Sequence, residues 1–139
     1  MFLKVKLVGR RLQMADLIED FQSYFVSKGL ATVDQIFRDA SPETKDFAVI
    51  IYEYEGAGAL PQVAGASRNI QVVARDKSAT AAKLKARELH HSLETEDGIL
   101  NLTVDRWSLI YIKQPPFKLK TEKEMVYYCF NILVTTFSD

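Results

Sequence analysis

Between residues 69 and 93, NIQVVARDKSATAAKLKARELHHSL, the apolar period changes from two to about 3.6. Ile70, Val72 and Ala74 alternate with Asn69, Gln71, Val73 and Arg75, which predicts a strand. Asp76-Lys77-Ser78 interrupts the alternation, and Ser78 is placed to cap a helix by accepting from a free amide of the first turn. Ala82, Ala86, Leu89 and Leu93 then recur on one stripe. Leu84 falls about 160–200° from that stripe, at about 100° per residue. Lys83, Lys85, Arg87 and Glu88 surround it. A lone exposed leucine is ordinary; with Lys83 and Arg87 it is also a candidate contact surface.

Before this unit, residues 14–28 carry Met14, Leu17, Ile18, Phe21 and Phe25 at i, i+3, i+4, i+7 and i+11, which predicts a helix. Acidic residues favour its first half, Lys28 its last turn, and Gly29 a left-handed end. Its aromatic stripe is read as core packing against a sheet. Residues 33–38 predict a short strand ended by the turn at 39–42. In residues 47–54, Phe47, Val49 and Ile51 share one face, and Ala48, Ile50, Tyr52 and Tyr54 the other. Apolar residues on both faces suit an interior strand, or one whose outer face meets another subunit. Residues 55–68, EGAGALPQVAGASR, have little to bury and predict either a surface loop or a segment that orders on assembly. They lack the phosphate-loop pattern.

After the central helix, residues 94–98 predict a polar turn. Residues 99–106 predict a strand with Leu100, Leu102 and Val104 inward, and residues 107–113 continue extended. Pro115 and Pro116 donate no amide hydrogen, so a ladder must stop there. Residues 118–123, with three lysines, predict a solvated basic hairpin tip. Residues 124–137 predict a long closing strand. Val126, Tyr128, Phe130, Ile132 and Val134 form one face, and Met125, Tyr127, Cys129, Leu133 and Phe137 the other. A strand so long and apolar on both faces must be central, covered or paired across an interface.

The 139 residues suffice for one domain with a sizeable core, and 47% hydrophobic with 11% aromatic residues argues for a folded chain. Lys plus Arg and Asp plus Glu balance at 18 each, so there is no general pull toward nucleic acid or anionic membrane. No apolar run approaches the roughly 20 residues that span a bilayer, so no membrane partner is expected. Residues 1–13 read as an arm, an extra strand or a leader; charge within the apolar stretch and no small-residue cleavage site argue against a signal peptide. Cys129 stands alone, which excludes an internal disulfide, and reads as a buried small hydrophobe. His90 and His91 are adjacent, so they diverge on a helix and do not converge on a metal. Glu53 and Glu55 flank Tyr54, a pairing read as an exposed strand end. No nucleophile–base pair emerges, and neither catalysis, cofactor nor metal is expected.

The order of these pieces resembles the phage minor capsid and tail-terminator proteins that complete the head–tail joint of long-tailed phages. The residues that carry the resemblance are ADLIEDFQSYFVSKGL, IIYEYEG and its Gly-rich loop, the strand–helix unit RNIQVVARDKSATAAKLKARELHHSL, the Pro-Pro-Phe segment and the final strand. It covers residues 14–137 and leaves 1–13 outside. It implies an α+β domain, mostly antiparallel sheet with two main helices packed on one face. It further implies a virion protein, assembled in the host cytoplasm, that forms a ring of six copies on the tail tube. Such a ring ends tube elongation, presents a surface to the head connector, and lets DNA pass without sequence-specific binding. On that reading the candidate subunit or tube interface comprises Leu84, Lys83 and Arg87 on the helix. It also takes in Tyr52 and Tyr54 on the strand, and Gly56, Gly58, Leu60, Pro61 and Val63 in the loop. The competing expectation is a small ferredoxin-like ligand- or protein-binding module, since such sandwiches host many functions.

Overall fold

A computed structural model describes residues 17–42, 45–54, 67–102 and 106–138. The elements are α1 (Leu17–Ser27), a 3-10 turn (Val33–Gln35), β1 (Ile36–Arg38), β2 (Ala48–Tyr54), β3 (Ser67–Asp76) and α2 (Ala79–Ser92). They continue with β4 (Ile99–Leu100), β5 (Arg106–Ile112), β6 (Phe117–Glu122) and β7 (Met125–Ser138). Among the described residues the strands form one seven-stranded sheet in the order β1-β2-β3-β7-β5-β4, with β6 also on β7. Only β1 and β2 run parallel; every other pair is antiparallel. The chain is an α+β protein, as its patterning predicts.

β7 organises the sheet. On one edge it pairs with the whole of β3, from Ser67 opposite Thr135 to Asp76 opposite Val126. On the other edge β5 takes Ile132–Ser138 and β6 takes Met125–Cys129. β5 and β6 therefore follow one another along the same side of β7, with a break at Gln114-Pro115-Pro116. The break falls where proline has no hydrogen to give, and the Lys113 amide donates to the Asn131 carbonyl just before it (3.0 Å).

Side-chain alternation divides the buried residues into two clusters. The larger joins Leu17, Phe21 and Phe25 of α1 and Ala86, Leu89 and Leu93 of α2 with Val49, Ile51, Ile70, Val72, Phe130, Ile132 and Val134. The smaller contains the intervening strand residues Ala48, Ile50, Val73, Tyr127 and Cys129. Local chemistry sets the helix ends. The Ala81 amide donates to the Ser78 hydroxyl (3.1 Å), so Ser78 caps α2. Gly29 has φ +72°. Its amide donates to the Val26 carbonyl and that of Leu30 to Phe25, the paired bonds of a glycine-terminated helix. The Tyr24 hydroxyl donates to the Ser92 carbonyl (2.6 Å), tying α1 to the last turn of α2.

Arg75 stabilises the connection between β1 and β2. That connection spans residues 39–47, fewer than the dozen or so residues usual for a parallel crossover. The Arg75 side chain, 3% exposed, donates to the carbonyls of Pro42 (2.7 Å), Lys45 and Asp46 (3.4 Å). Its guanidinium lies 5.9 Å from the Tyr127 ring. The charged group thereby satisfies backbone acceptors in a turn too short to form its own ladder.

Three expectations need correction. Residues 33–38 are a 3-10 turn followed by three strand residues, because the Gln35 amide bonds back to Thr32. The strand expected over 99–106 is only two residues long before Leu102 turns into the core; alternation within a segment does not supply a ladder partner. The basic tip expected over 118–123 is mostly β6, and the turn is confined to Lys123 and Glu124. Both have positive φ, 50° and 66°, as the favoured two-residue hairpin turn requires. Residues 14–16 of the first helix, and Val104 with its neighbours 103 and 105, lie outside the described residues, as do residues 1–13.

Phe21 is fully buried where α1 meets the sheet. Phe21→Ala should therefore destabilise the protein by about 3–5 kcal/mol, measured as a shift in the urea midpoint at unchanged slope; a near-zero shift would show that α1 contributes no core contact there.

Candidate functional site

Two surfaces carry the residues singled out from the sequence. On α2, Ala82, Ala86 and Leu89 are buried and Leu84 is 54% exposed, as helical spacing predicts. Lys83 and Arg87 are exposed on either side of it, and among the described residues neither forms an ion pair. Lys85 is different. Its ammonium donates to the Leu30 carbonyl (2.9 Å), pairs with Glu88 (3.0 Å) and lies 5.8 Å from the Phe47 ring. Lys85 thus ties α2 to the chain after α1, leaving Lys83, Leu84 and Arg87 as the unengaged part of the surface.

Tyr52 and Tyr54 lie elsewhere, on the sheet face of the smaller cluster. Tyr52 pairs with Gln71 and Tyr54 with Asn69. A polar row crosses this face. The Lys113 ammonium donates to Asn69 Oδ1 (2.7 Å) and lies 5.8 Å from the Tyr54 ring. Gln71 Nε2 donates to Asn131 Oδ1 (3.2 Å), and the Ser67 and Thr135 hydroxyls bond at 2.8 Å. Around the row stand exposed apolar side chains: Ile99 (41%), Leu109 (44%), Tyr111 (63%), Phe117 (37%) and Leu119 (40%). Register puts Ile99 beside Leu109, Leu109 beside Thr135, Tyr111 beside Leu133 and Phe117 beside Cys129. Sequence reasoning read residues 107–113 as extended but did not assign Leu109 and Tyr111 this role. Exposure depends on which strands are neighbours and what covers them, and alternation does not report either.

The structure therefore separates the Leu84 group from the Tyr52–Tyr54 group. Gly56, Gly58, Leu60, Pro61 and Val63 lie outside the described residues, as does Glu55. Glu53 is engaged by Arg68 through Nε (2.5 Å) and Nη2 (2.6 Å), a two-pronged ion pair at the strand end. The histidines diverge: the His90 ring packs edge-on against Phe130 (5.1 Å) with Nδ1 3.0 Å from Glu94, whereas the His91 side chain is at the surface. Among the described residues no group of three metal-ligating side chains gathers, and no helix is long and apolar enough to cross a membrane.

Two hollows adjoin the smaller cluster. One, about 200 Å³, is lined by Tyr52, Gln71, Val73, Leu119, Lys120 and Tyr127. The other, about 370 Å³, is lined by Ser41, Pro42, Arg75, Glu122, Lys123, Met125 and Tyr127. Of its two cationic groups, Arg75 is already committed to three carbonyls and Lys123 lies at the exposed hairpin turn. Neither hollow sets a nucleophile against a base.

No family model and no curated protein matches this chain. The fold does recur. A chain from the solved virion of a native gene transfer agent (GTA) particle aligns over 85% of this chain and 89% of that one, with a TM-score of 0.58 and 15% identity. At that identity the likeness establishes a shared fold.

Cys129 is buried between β3 and β6, and burial pushes its thiol up from 9.0 to about 11. The thiolate, the reactive form, is thus disfavoured in the folded protein. In the unfolded chain the thiol ionises first, so this group lowers folding stability as pH rises from about 9 to about 11. Iodoacetamide at pH 8 should label Cys129 slowly in the folded protein and rapidly in urea. Equal rates in both would remove Cys129 from the core.

Proposed function

We propose that this chain is a structural virion protein of a phage or phage-like particle. It caps the tail tube as a ring of six copies, ends tube elongation and forms the interface to the head connector. The observation that carries this reading is the fold shared, over 85% of this chain, with a chain of a GTA virion. The order of elements from residue 14 to residue 137 supports it independently through the resemblance to tail-terminator proteins. One cluster gathers side chains of both helices, which supports the inference that the two helices lie on one sheet face. The role is non-enzymatic and needs no cofactor. Its site is the virion, at the head–tail joint, with the tail tube protein, the connector and other copies of the chain as partners.

A ring closed by rotation needs two different surfaces on each copy. The α2 surface at Lys83, Leu84 and Arg87 is one. The sheet face opposite the larger cluster is the other, with Tyr52 and Tyr54 toward one end and Ile99 toward the other; the loop residues Gly56, Gly58, Leu60, Pro61 and Val63 are further candidates for contact with a neighbour or the tube. A chain of zero net charge suits a bore through which DNA passes without being held.

Deleting the gene from its phage or prophage and examining induced lysates by negative-stain electron microscopy tests the reading. Filled heads beside unattached tails of irregular length are expected. Normal virions would overturn it in favour of a binding module. Leu84→Asp, supplied in trans, should leave the urea midpoint almost unchanged and lower the yield of joined particles. Undiminished yield would take Leu84 out of the interface.

A further inference from the structure

Two groups of exposed charges of opposite sign stand beside exposed apolar side chains. Lys83 and Arg87 flank Leu84 on α2, and neither meets a carboxylate among the described residues. The turn after α2 has the opposite character: Glu94, Glu96 and Asp97 lie within four positions, and residues 92–102 contain no lysine or arginine. Glu94 is taken up by His90 and His91. Asp97 is held in place by accepting from the Ile99 amide (2.9 Å). Glu96 and Asp97 are exposed beside Ile99, whose side chain is 41% exposed. Glu88, also beside Leu84, is paired with Lys85, so among the described residues the Leu84 patch keeps Lys83 and Arg87 as its unpaired charges and the Ile99 patch keeps Glu96 and Asp97; the signs are opposite.

The patches also point in opposite directions. Leu84 faces away from the stripe by which α2 packs on Phe130, Ile132 and Val134 of β7. Ile99 is in register with Leu109, and Leu109 with Thr135. Thr135 lies on the β7 face opposite those packing residues, by the two-residue period. The Leu84 patch and the Ile99 patch therefore project from opposite sides of the sheet. A chain that carries a basic-rimmed patch on one side of the sheet and an acidic-rimmed patch on the other offers two surfaces complementary in a head-to-tail sense.

We propose that Lys83, Leu84 and Arg87 of one copy dock on Glu96, Asp97 and Ile99 of the next. The inference rests on the reading of the chain as one that assembles with its own copies; it adds which two patches meet. Leu84 and Ile99 would supply the apolar centre, and the four charges the rim that sets direction and register. Two like patches repel, so the arrangement disfavours the two-fold dimer and favours the heterologous contact that a ring requires.

Two charge-reversed variants test this: Lys83→Glu with Arg87→Glu, and Glu96→Lys with Asp97→Lys. Both sets lie at the surface, and circular dichroism with urea melts verifies folding. Sedimentation velocity across a concentration range should show wild-type self-association that weakens with added salt. Each variant alone should associate roughly tenfold or more weakly. Mixed in equal amounts the two should associate again, because the acidic α2 patch of one then meets the basic turn of the other. Variants that associate like wild type overturn the contact. So does loss in both without recovery on mixing, and so does a wild type that stays monomeric throughout. None of these results bears on the deletion lysates, which judge the tail-terminating role by particle morphology.

Discussion

The demand that β7 be hydrogen-bonded along both edges governs the rest of this structure. Fourteen residues long and apolar on both faces, it would template aggregation if either edge were open. β3 is long enough to cover one edge alone. The opposite edge takes two strands in succession, because the chain feeding it carries Pro115 and Pro116. The penalty of proline in a strand is thus confined to a point where the edge changes from β5 to β6. β7 follows the other strands in sequence yet lies among them, so the sheet is incomplete until β7 inserts. Its pairing with β3 joins residues 50 to 68 apart in sequence, the kind of long-range contact that slows folding.

Once β7 is central, its two faces have different fates. Phe130, Ile132 and Val134 are sealed in the cluster that includes both helices. Cys129 and Tyr127 are buried by smaller means: by Ile50, Val73 and Met125, and by the turn that Arg75 holds. Toward β4 and β5 that second face runs into exposed Leu109 and Tyr111. A scattered apolar side chain is unremarkable at a surface, but several on one sheet face are the condition under which assembly gains most from burial. The polar row of Lys113, Asn69, Gln71 and Asn131 limits that gain. It keeps the face from being a uniform sticky plane and offers fixed donors and acceptors to whatever meets it.

How much of this could be read from the sequence follows from how local each feature is. The strand–cap–helix unit over residues 69–93 was legible almost in full, since Ser78 and the helical stripe act within a few residues of one another. The Gly29 terminus was legible for the same reason, as was Leu84 lying off the packed stripe. The double-faced apolar pattern revealed that β7 is interior, but not its neighbours. Arg75 read as an ordinary polar position, and nothing near it announces three backbone carbonyls from a distant turn. β6 was taken for a solvated tip because its lysines dominate composition, whereas its ladder depends on Met125–Cys129 across the hairpin. Ile99 and Leu109 were assigned to strands without being recognised as surface, because only pairing order fixes which residues lack a covering layer.

The same distinction bears on function. The fold is compatible with many roles, and its recurrence in a virion chain at 15% identity shows the fold alone. What can discriminate is the disposition of unsatisfied groups. A ligand-binding module directs unpaired polar groups into a concavity. Here Arg75, one of the two cations lining the larger hollow, is consumed by the backbone, and the Leu84 and Ile99 patches face opposite ways. Opposed, complementary patches cannot be satisfied within one copy or by a two-fold pair. On the proposed contact they would be satisfied by a succession of copies, closed into a ring where the rotation between neighbours allows it.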